Sequence, residues 1–191
     1  MADTVPPEMR AILMENYEDD LSAAMTVEDA IVPSPGRQSL GLIVSIAICF
    51  CAAGLGSLAT DPRVPGWYAQ LAKPAWTPPD WVFGPVWTAL YLCMAVAAWL
   101  VWRQGGIAAA KVPLALFAVQ LVLNSLWPFL FFGLRQPGIA AVEIVLLWAA
   151  ILATALAFWS RSVSAGLLLV PYLAWVTFAV ALNWKIWSMN A

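Results

Sequence analysis

The sequence predicts an all-α integral membrane protein, a bundle of five transmembrane helices. Three observations carry this. Hydrophobic residues make up 63% of the 191 and charged residues only 10%, against roughly a quarter charged in soluble proteins. Five apolar runs, at about 40–59, 82–102, 112–134, 138–159 and 165–187, each approach the ~20 residues that cross a ~30 Å hydrocarbon core. None shows the alternating ~10-residue pattern of a membrane barrel, and in lipid a helix satisfies its own backbone polar groups.

Taken in order, the chain begins with an acidic extension, residues 1–38. Its first 36 residues carry eight acids and one base, Arg10. Met9, Leu13, Tyr17, Leu21 and Met25 recur at i+4, which fits an amphipathic helix after Pro6-Pro7. A disordered acidic tail fits the composition equally. The segment 33–36, Pro-Ser-Pro-Gly, reads as a linker. No basic region followed by an apolar core and cleavage site marks a secretory signal.

The five-helix domain occupies residues 39–191. Asp61-Pro62-Arg63, Arg103-Gln104-Gly105-Gly106, Arg135-Gln136-Pro137 and Ser160-Arg161-Ser162 separate the runs. The last three connections are short, which makes spans two to five consecutive antiparallel neighbours. The first connection, residues 60–81, is long, and loops of this length tend to be functional or disordered. Disordered loops are poor in aromatics; this one holds Trp67, Tyr68, Trp76 and Trp81, so it reads as ordered and folded over the bundle mouth. Orientation is undecided. Arg37, Arg103, Lys111 and Arg161 lie on one side and Arg63, Lys73, Arg135 and Lys185 on the other, which gives the positive-inside rule no asymmetry.

Composition also narrows the chemistry. There is no histidine, the commonest metal ligand and general base. Cys49, Cys51 and Cys93 lack zinc spacing and read as small buried hydrophobes. No basic stripe suits nucleic acid, and no P-loop marks a nucleotide-driven pump. The twelve tryptophans stand out. Those at span ends, Trp81, Trp99, Trp102, Trp159, Trp184 and Trp187, fit an interfacial belt. Trp87, Trp127, Trp148 and Trp175 lie inside spans, where an indole N–H needs an acceptor.

At 1.5 Å per residue, Trp87, Asn124, Trp127, Glu143, Trp175 and Ala179 lie roughly 8–18 Å below the side that carries the long loop. Phe83, Trp87 and Tyr91 share one helical face, as do Gln120, Asn124 and Trp127, and Trp175, Ala179 and Leu182. Pro128 removes the donor for the Asn124 carbonyl and favours a kink. An aromatic layer with a few polar groups is the usual make-up of a small-molecule site; helix–helix packing is the alternative for each residue alone. Glu143, the only acid inside a span, is a functional candidate by default, unless it reaches water or Arg135 near the interface.

The stretch WYAQLAKPAWTPPDWVFGPVWTALY, residues 67–91, resembles the first loop and second helix of the translocator protein / tryptophan-rich sensory protein (TspO/MBR, peripheral-type benzodiazepine receptor) family. QLVLNSLWPFLFFGLRQ (120–136) is similar to its third helix and PYLAWVTFAVALNWKIWSMN (171–190) to its fifth. The resemblance implies a dimeric five-helix membrane bundle that binds porphyrins such as protoporphyrin IX, together with benzodiazepine-type and isoquinoline ligands. Such a protein acts in tetrapyrrole sensing, scavenging or transport and needs no cofactor. The alternative is a light-dependent porphyrin-degrading enzyme with Trp87 or Trp175 as redox partners. The family's ligand contacts fall on Tyr68, Pro78, Phe83, Trp87, Tyr91, Asn124, Trp127, Ile144, Trp175 and Ala179. Two features depart from the family. The sterol motif near the end of the fifth helix needs a tyrosine, where this chain reads ALNWKIW. The glycine seam of the third helix becomes Ala115 and Val119. The acidic extension is not part of the family pattern.

Overall fold

Prolines and turn residues set where the apolar runs begin and end. A computed structural model describes residues 6–31, 34–60 and 64–191. It contains helices α1 (Pro7–Ile31), α2 (Pro35–Thr60), α3 (Asp80–Trp102), α4 (Gly106–Ala109), α5 (Lys111–Pro128), α6 (Pro137–Trp159) and α7 (Val163–Asn190). Two π-helical turns cover Val64–Tyr68 and Phe129–Gly133. No strand occurs among the described residues. Among the described residues five helices are long and apolar enough to cross a membrane: α2, α3, α5 with its π-helical continuation, α6 and α7. The chain is a multi-pass integral membrane protein.

Pro35 and Pro137 open α2 and α6, where a missing N–H and a fixed φ suit the first turn. Pro35 and Gly36 therefore start a helix rather than extend the expected linker; Pro33 lies outside the described residues. Ser162 caps α7, its hydroxyl accepting from the Ala165 N–H at 3.3 Å. Past Pro128, α5 runs on as the π turn, closed by the Leu134 N–H donating to the Phe129 carbonyl at 2.7 Å. The kink expected at Pro128 thus takes the form of a widened turn that keeps the span continuous.

Around the bundle the order is α2, α3, α7, α6, α5 and back to α2. Consecutive spans pack together except α3 and α5, which touch only slightly because α2 leans on both. This corrects the expectation of consecutive neighbours from the second span to the fifth. The connection 103–110, which includes α4, lets the chain step behind α2 rather than turn tightly. Lipid gives no hydrophobic drive between helices, so close backbone approach and polar contacts hold such bundles together. At the turn between α6 and α7, a Cβ on Gly166 would meet the Trp159 Cα at 2.9 Å, so only glycine fits there. Ala95, Ala140, Ala155 and Ala165 are likewise buried at helix contacts.

Two contrasting ends organise the site. At the end where α2 begins, α2 and α3 are clamped. Ser45 Oγ donates to the Ala95 carbonyl at 2.7 Å and Trp99 Nε1 to the Gln38 carbonyl at 2.9 Å. At the opposite end, the loop face, α2 leans on α5 instead. Ser125 Oγ donates to the Ala52 carbonyl at 3.2 Å, and Gly56 lies against Pro128.

The long connection is ordered over its described part and covers the loop face. Tyr68 is buried edge-on to Phe131 and Phe132, with Trp67 also against Phe131. Lys73 Nζ donates to the Tyr68 carbonyl at 2.9 Å and lies 4.4 Å above its ring. Asn190, at the end of α7, donates to the Ala72 carbonyl at 2.9 Å and accepts from its N–H at 3.0 Å. At the other end of the chain, α1 is helical, and its side chains from Glu8 to Leu21 are all exposed.

Candidate functional site

Where α2 and α3 diverge beneath this roof, they leave a cavity of about 390 Å³, within the size range of ligand pockets. All five spanning helices and the roof contribute to its wall. From α3 come Phe83, Trp87 and Tyr91; from α5, Asn124 and Trp127; from α6, Ile144 and Leu147; from α7, Trp175, Ala179 and Asn183. Tyr68 and the π-turn residues Phe131 and Phe132 close the top. Burial, and then the nearby Asp80 carboxylate, push the Tyr68 hydroxyl up to about 12. That hydroxyl therefore stays neutral at working pH.

The aromatic side chains hold one another in place. Trp87 lies 5.8 Å from Tyr91 and 6.2 Å from Tyr172. The Phe83 and Trp175 rings meet edge-on at 5.8 Å, and Trp127 stacks on Phe131 at 5.0 Å. A polar chain crosses the floor. Tyr91 Oη donates to Asn124 Oδ1, Asn124 Nδ2 donates to Tyr172 Oη, and Tyr172 Oη donates to Gln120 Oε1 at 3.0 Å. It ties α3, α5 and α7 together through buried groups.

The four tryptophans inside spans divide by the state of their indole N–H. Trp127 Nε1 donates to Asn183 Oδ1 at 2.9 Å, and Asn183 Nδ2 donates to the Pro137 carbonyl at 2.8 Å. Trp148 Nε1 donates to Thr177 Oγ1 at 2.8 Å, away from the cavity. Trp87 and Trp175 line the cavity, and their indole N–H groups have no acceptor among the described residues. These two donors are not committed to the described protein, on a mainly apolar wall whose other polar groups include Asp80, Asn124 and Asn183.

Of the eleven expected contacts, the structure brings Tyr68, Phe83, Trp87, Tyr91, Asn124, Trp127, Ile144, Trp175 and Ala179 to the cavity. Pro78 and Glu143 are not on its wall. Pro78 sits half-buried in the roof segment before α3. Glu143 precedes Ile144, and successive helical residues diverge by about 100°, so Ile144 takes the cavity side. Glu143 is only 6% exposed, and neither carboxylate oxygen has a hydrogen-bond partner among the described residues. It is buried away from both the cavity and Arg135, which is exposed. Cys51 is exposed rather than buried, because two residues along α2 from buried Cys49 the helix has turned to its opposite side.

Sequence reasoning missed the α2 wall, Phe50, Ala53, Gly56, Ser57 and Thr60. These residues carry no charge, amide or indole to mark them. It also missed Asn183, although that residue stands four after Ala179 and is the second amide inside a span on the cavity side.

Comparison with known proteins agrees with this architecture. Residues 45–188 match the TspO/MBR family. Tryptophan-rich protein TspO of Chlorobaculum tepidum is 43% identical over 158 residues, covering 81% of this chain and 98% of the relative. Human translocator protein is 48% identical over 126 residues, covering 65% of this chain and 75% of its own. Protein CrtK of Rhodobacter capsulatus is 40% identical over 152 residues, covering 77% and 91%. The matched family region covers every residue of the cavity wall and excludes α1, and the chain belongs to the TspO/MBR family.

Proposed function

We propose that this protein binds porphyrins of the protoporphyrin IX type, and related flat hydrophobic molecules, within the membrane, and that it serves tetrapyrrole sensing, scavenging or transport. The observation that supports this most is the pair of unpartnered indole donors, Trp87 and Trp175, on a roofed aromatic cavity. A packing core would pair or exclude such donors. A flat aromatic macrocycle with acceptor groups at its edge matches stacking surfaces combined with few, fixed polar contacts.

A second reading has one specific support. Trp87 and Trp175 would lie against a bound photosensitiser, where the light-excited porphyrin could take an electron from an indole and be reduced, with dissolved dioxygen as the oxidant in the ensuing breakdown of the ligand. One experiment separates the two: titration of the purified protein with protoporphyrin IX, followed by tryptophan quenching and porphyrin absorbance, dark and illuminated. Saturable quenching with stable absorbance in both conditions is the expected result. Protein-dependent bleaching in light would establish the degrading activity instead, and absence of saturable quenching would remove both.

A further inference from the structure

We infer that the cavity opens sideways to the hydrocarbon layer between α2 and α3, so that it takes its ligands from solution in the bilayer rather than through the roof. The inference rests on the cavity being a ligand site. Its evidence is the exposure of wall residues. Phe50 and Ser57 on α2, with Asp80, Gly84 and Thr88 on α3, line the cavity and are also exposed. A residue that does both stands at an opening. All five belong to the two helices that are clamped at one end, through Ser45–Ala95 and Trp99–Gln38, and that part toward the loop face, where α2 turns to α5. At 1.5 Å per residue, Gly84 and Thr88 lie about 6 and 12 Å below the start of α3. That depth faces the outer part of a ~30 Å core rather than bulk water.

The water side is fastened by contrast. The reciprocal Ala72–Asn190 hydrogen bonds, the Lys73–Tyr68 contact and the aromatic cluster around Phe131 tie the described part of the roof down. Entry through this described part of the roof would have to break these contacts. On the lipid side the large side chain at the opening is Phe50, 37% exposed and 6.3 Å from the Tyr91 ring. Hydroxyls at the opening already donate to their own helices, Ser57 to the Gly54 carbonyl and Thr88 to the Gly84 carbonyl. Asp80, the first residue of α3, marks the end of the opening nearest the roof; below it the opening is thus apolar to an incoming molecule. The substrate class is therefore flat amphiphiles that partition into membranes, entering edge-first; a water-soluble molecule of the same shape would be excluded.

The test uses full-length protein in liposomes preloaded with protoporphyrin IX, with association followed by stopped-flow tryptophan quenching. A Cβ on Gly84 meets nothing within 4 Å, so there is room for a side chain to start into the opening, and Gly84→Trp is the first variant; Thr88→Trp is the second, and each is used once its folding in detergent is verified. At least a tenfold slower association in either folded variant is expected, with Asn190→Ala, which loosens the roof, within twofold of wild type. Faster association in Asn190→Ala, with unchanged rates in both tryptophan variants, would overturn the lateral route. If wild type binds no protoporphyrin, the functional reading fails. The opening is then decided by photolabelling with a fatty acid carrying a diazirine at its chain end. Label on Phe50 or Thr88 that Gly84→Trp abolishes supports it. Label confined to outward residues such as Val119 and Val122 overturns it.

Discussion

Replacing Asn124 by alanine removes the centre of the polar chain beneath the cavity. Two hydrogen bonds disappear, Tyr91 to Asn124 and Asn124 to Tyr172. Side-chain hydrogen bonds within membrane proteins average about 0.6 kcal/mol, so the bonds alone are worth only about 1 kcal/mol. The larger effect is what remains. The Tyr91 hydroxyl loses its acceptor, and Tyr172, fully buried and outside the cavity wall, loses a donor. A buried polar group left without its partner costs about 1–3 kcal/mol. Tyr172 still donates to Gln120, which limits the loss at that end. The sum is about 2–4 kcal/mol, or a fall in melting temperature of roughly 4–16 °C at 2–4 °C per kcal/mol for a chain of this size. Thermal unfolding in detergent, followed by circular dichroism, measures this. Adding Tyr91→Phe to Asn124→Ala deletes the stranded hydroxyl and recovers part of the loss, an interaction that a double-mutant cycle isolates. A melting temperature within 2 °C of wild type, or strict additivity in the cycle, would refute the network as a structural tie.

Trp87→Ala removes both an aromatic wall and a free donor. It is expected to weaken protoporphyrin binding about thirtyfold, the effect of losing an anchor worth about 2 kcal/mol, as read by titration; unchanged affinity would move the site elsewhere. Glu143→Met replaces a carboxyl group that has no hydrogen-bond partner among the described residues by an apolar chain of similar length. Relief of about 1 kcal/mol or more is expected to raise the melting temperature by about 2–4 °C, and a fall would reveal a partner that the carboxylate needs. Deleting residues 1–34 leaves the matched family region whole, so bundle and ligand affinity are expected to persist; loss of folded protein in detergent would make α1 integral to the bundle.

The spans were legible because hydropathy and length alone dictate them: the observed ends of α3, α6 and α7 lie within three residues of the expected ones. The start of α2 was missed by five residues because Pro35 and Gly36 look like linker until one asks which helix positions tolerate them. The aromatic face of α3 and the amides of α5 were legible because large or polar groups inside a span demand an explanation. What sequence could not carry was the order of helices around the bundle. Sequential runs suggest sequential packing, and nothing in the residues 103–110 announces that α5 is set behind α2. The α2 wall went unseen both for that reason and because its residues carry no charge, amide or indole. Glu143 was singled out by type and depth, whereas one step along the helix decided that Ile144 and not Glu143 faces the cavity. Trp148 lies inside a span like the cavity tryptophans, yet its partner Thr177 lies on the outer side of α7, a direction that depends on how α6 and α7 pack.

Ala179 offers the most direct test that the cavity is a ligand site and not loose packing. It lines the cavity one helical turn after Trp175 and one before Asn183. Overpacking a filled core costs about 1–3 kcal/mol, whereas bulk placed into an open site displaces ligand and leaves the fold untouched. The measurement is protoporphyrin affinity and ligand-free melting temperature on the one variant Ala179→Leu. The account predicts at least a tenfold loss of affinity, about 1.4 kcal/mol, with the melting temperature within about 2 °C of wild type, less than the shift expected for 1 kcal/mol in a chain of this size. A sharp drop in melting temperature with normal binding by the surviving folded protein would contradict it.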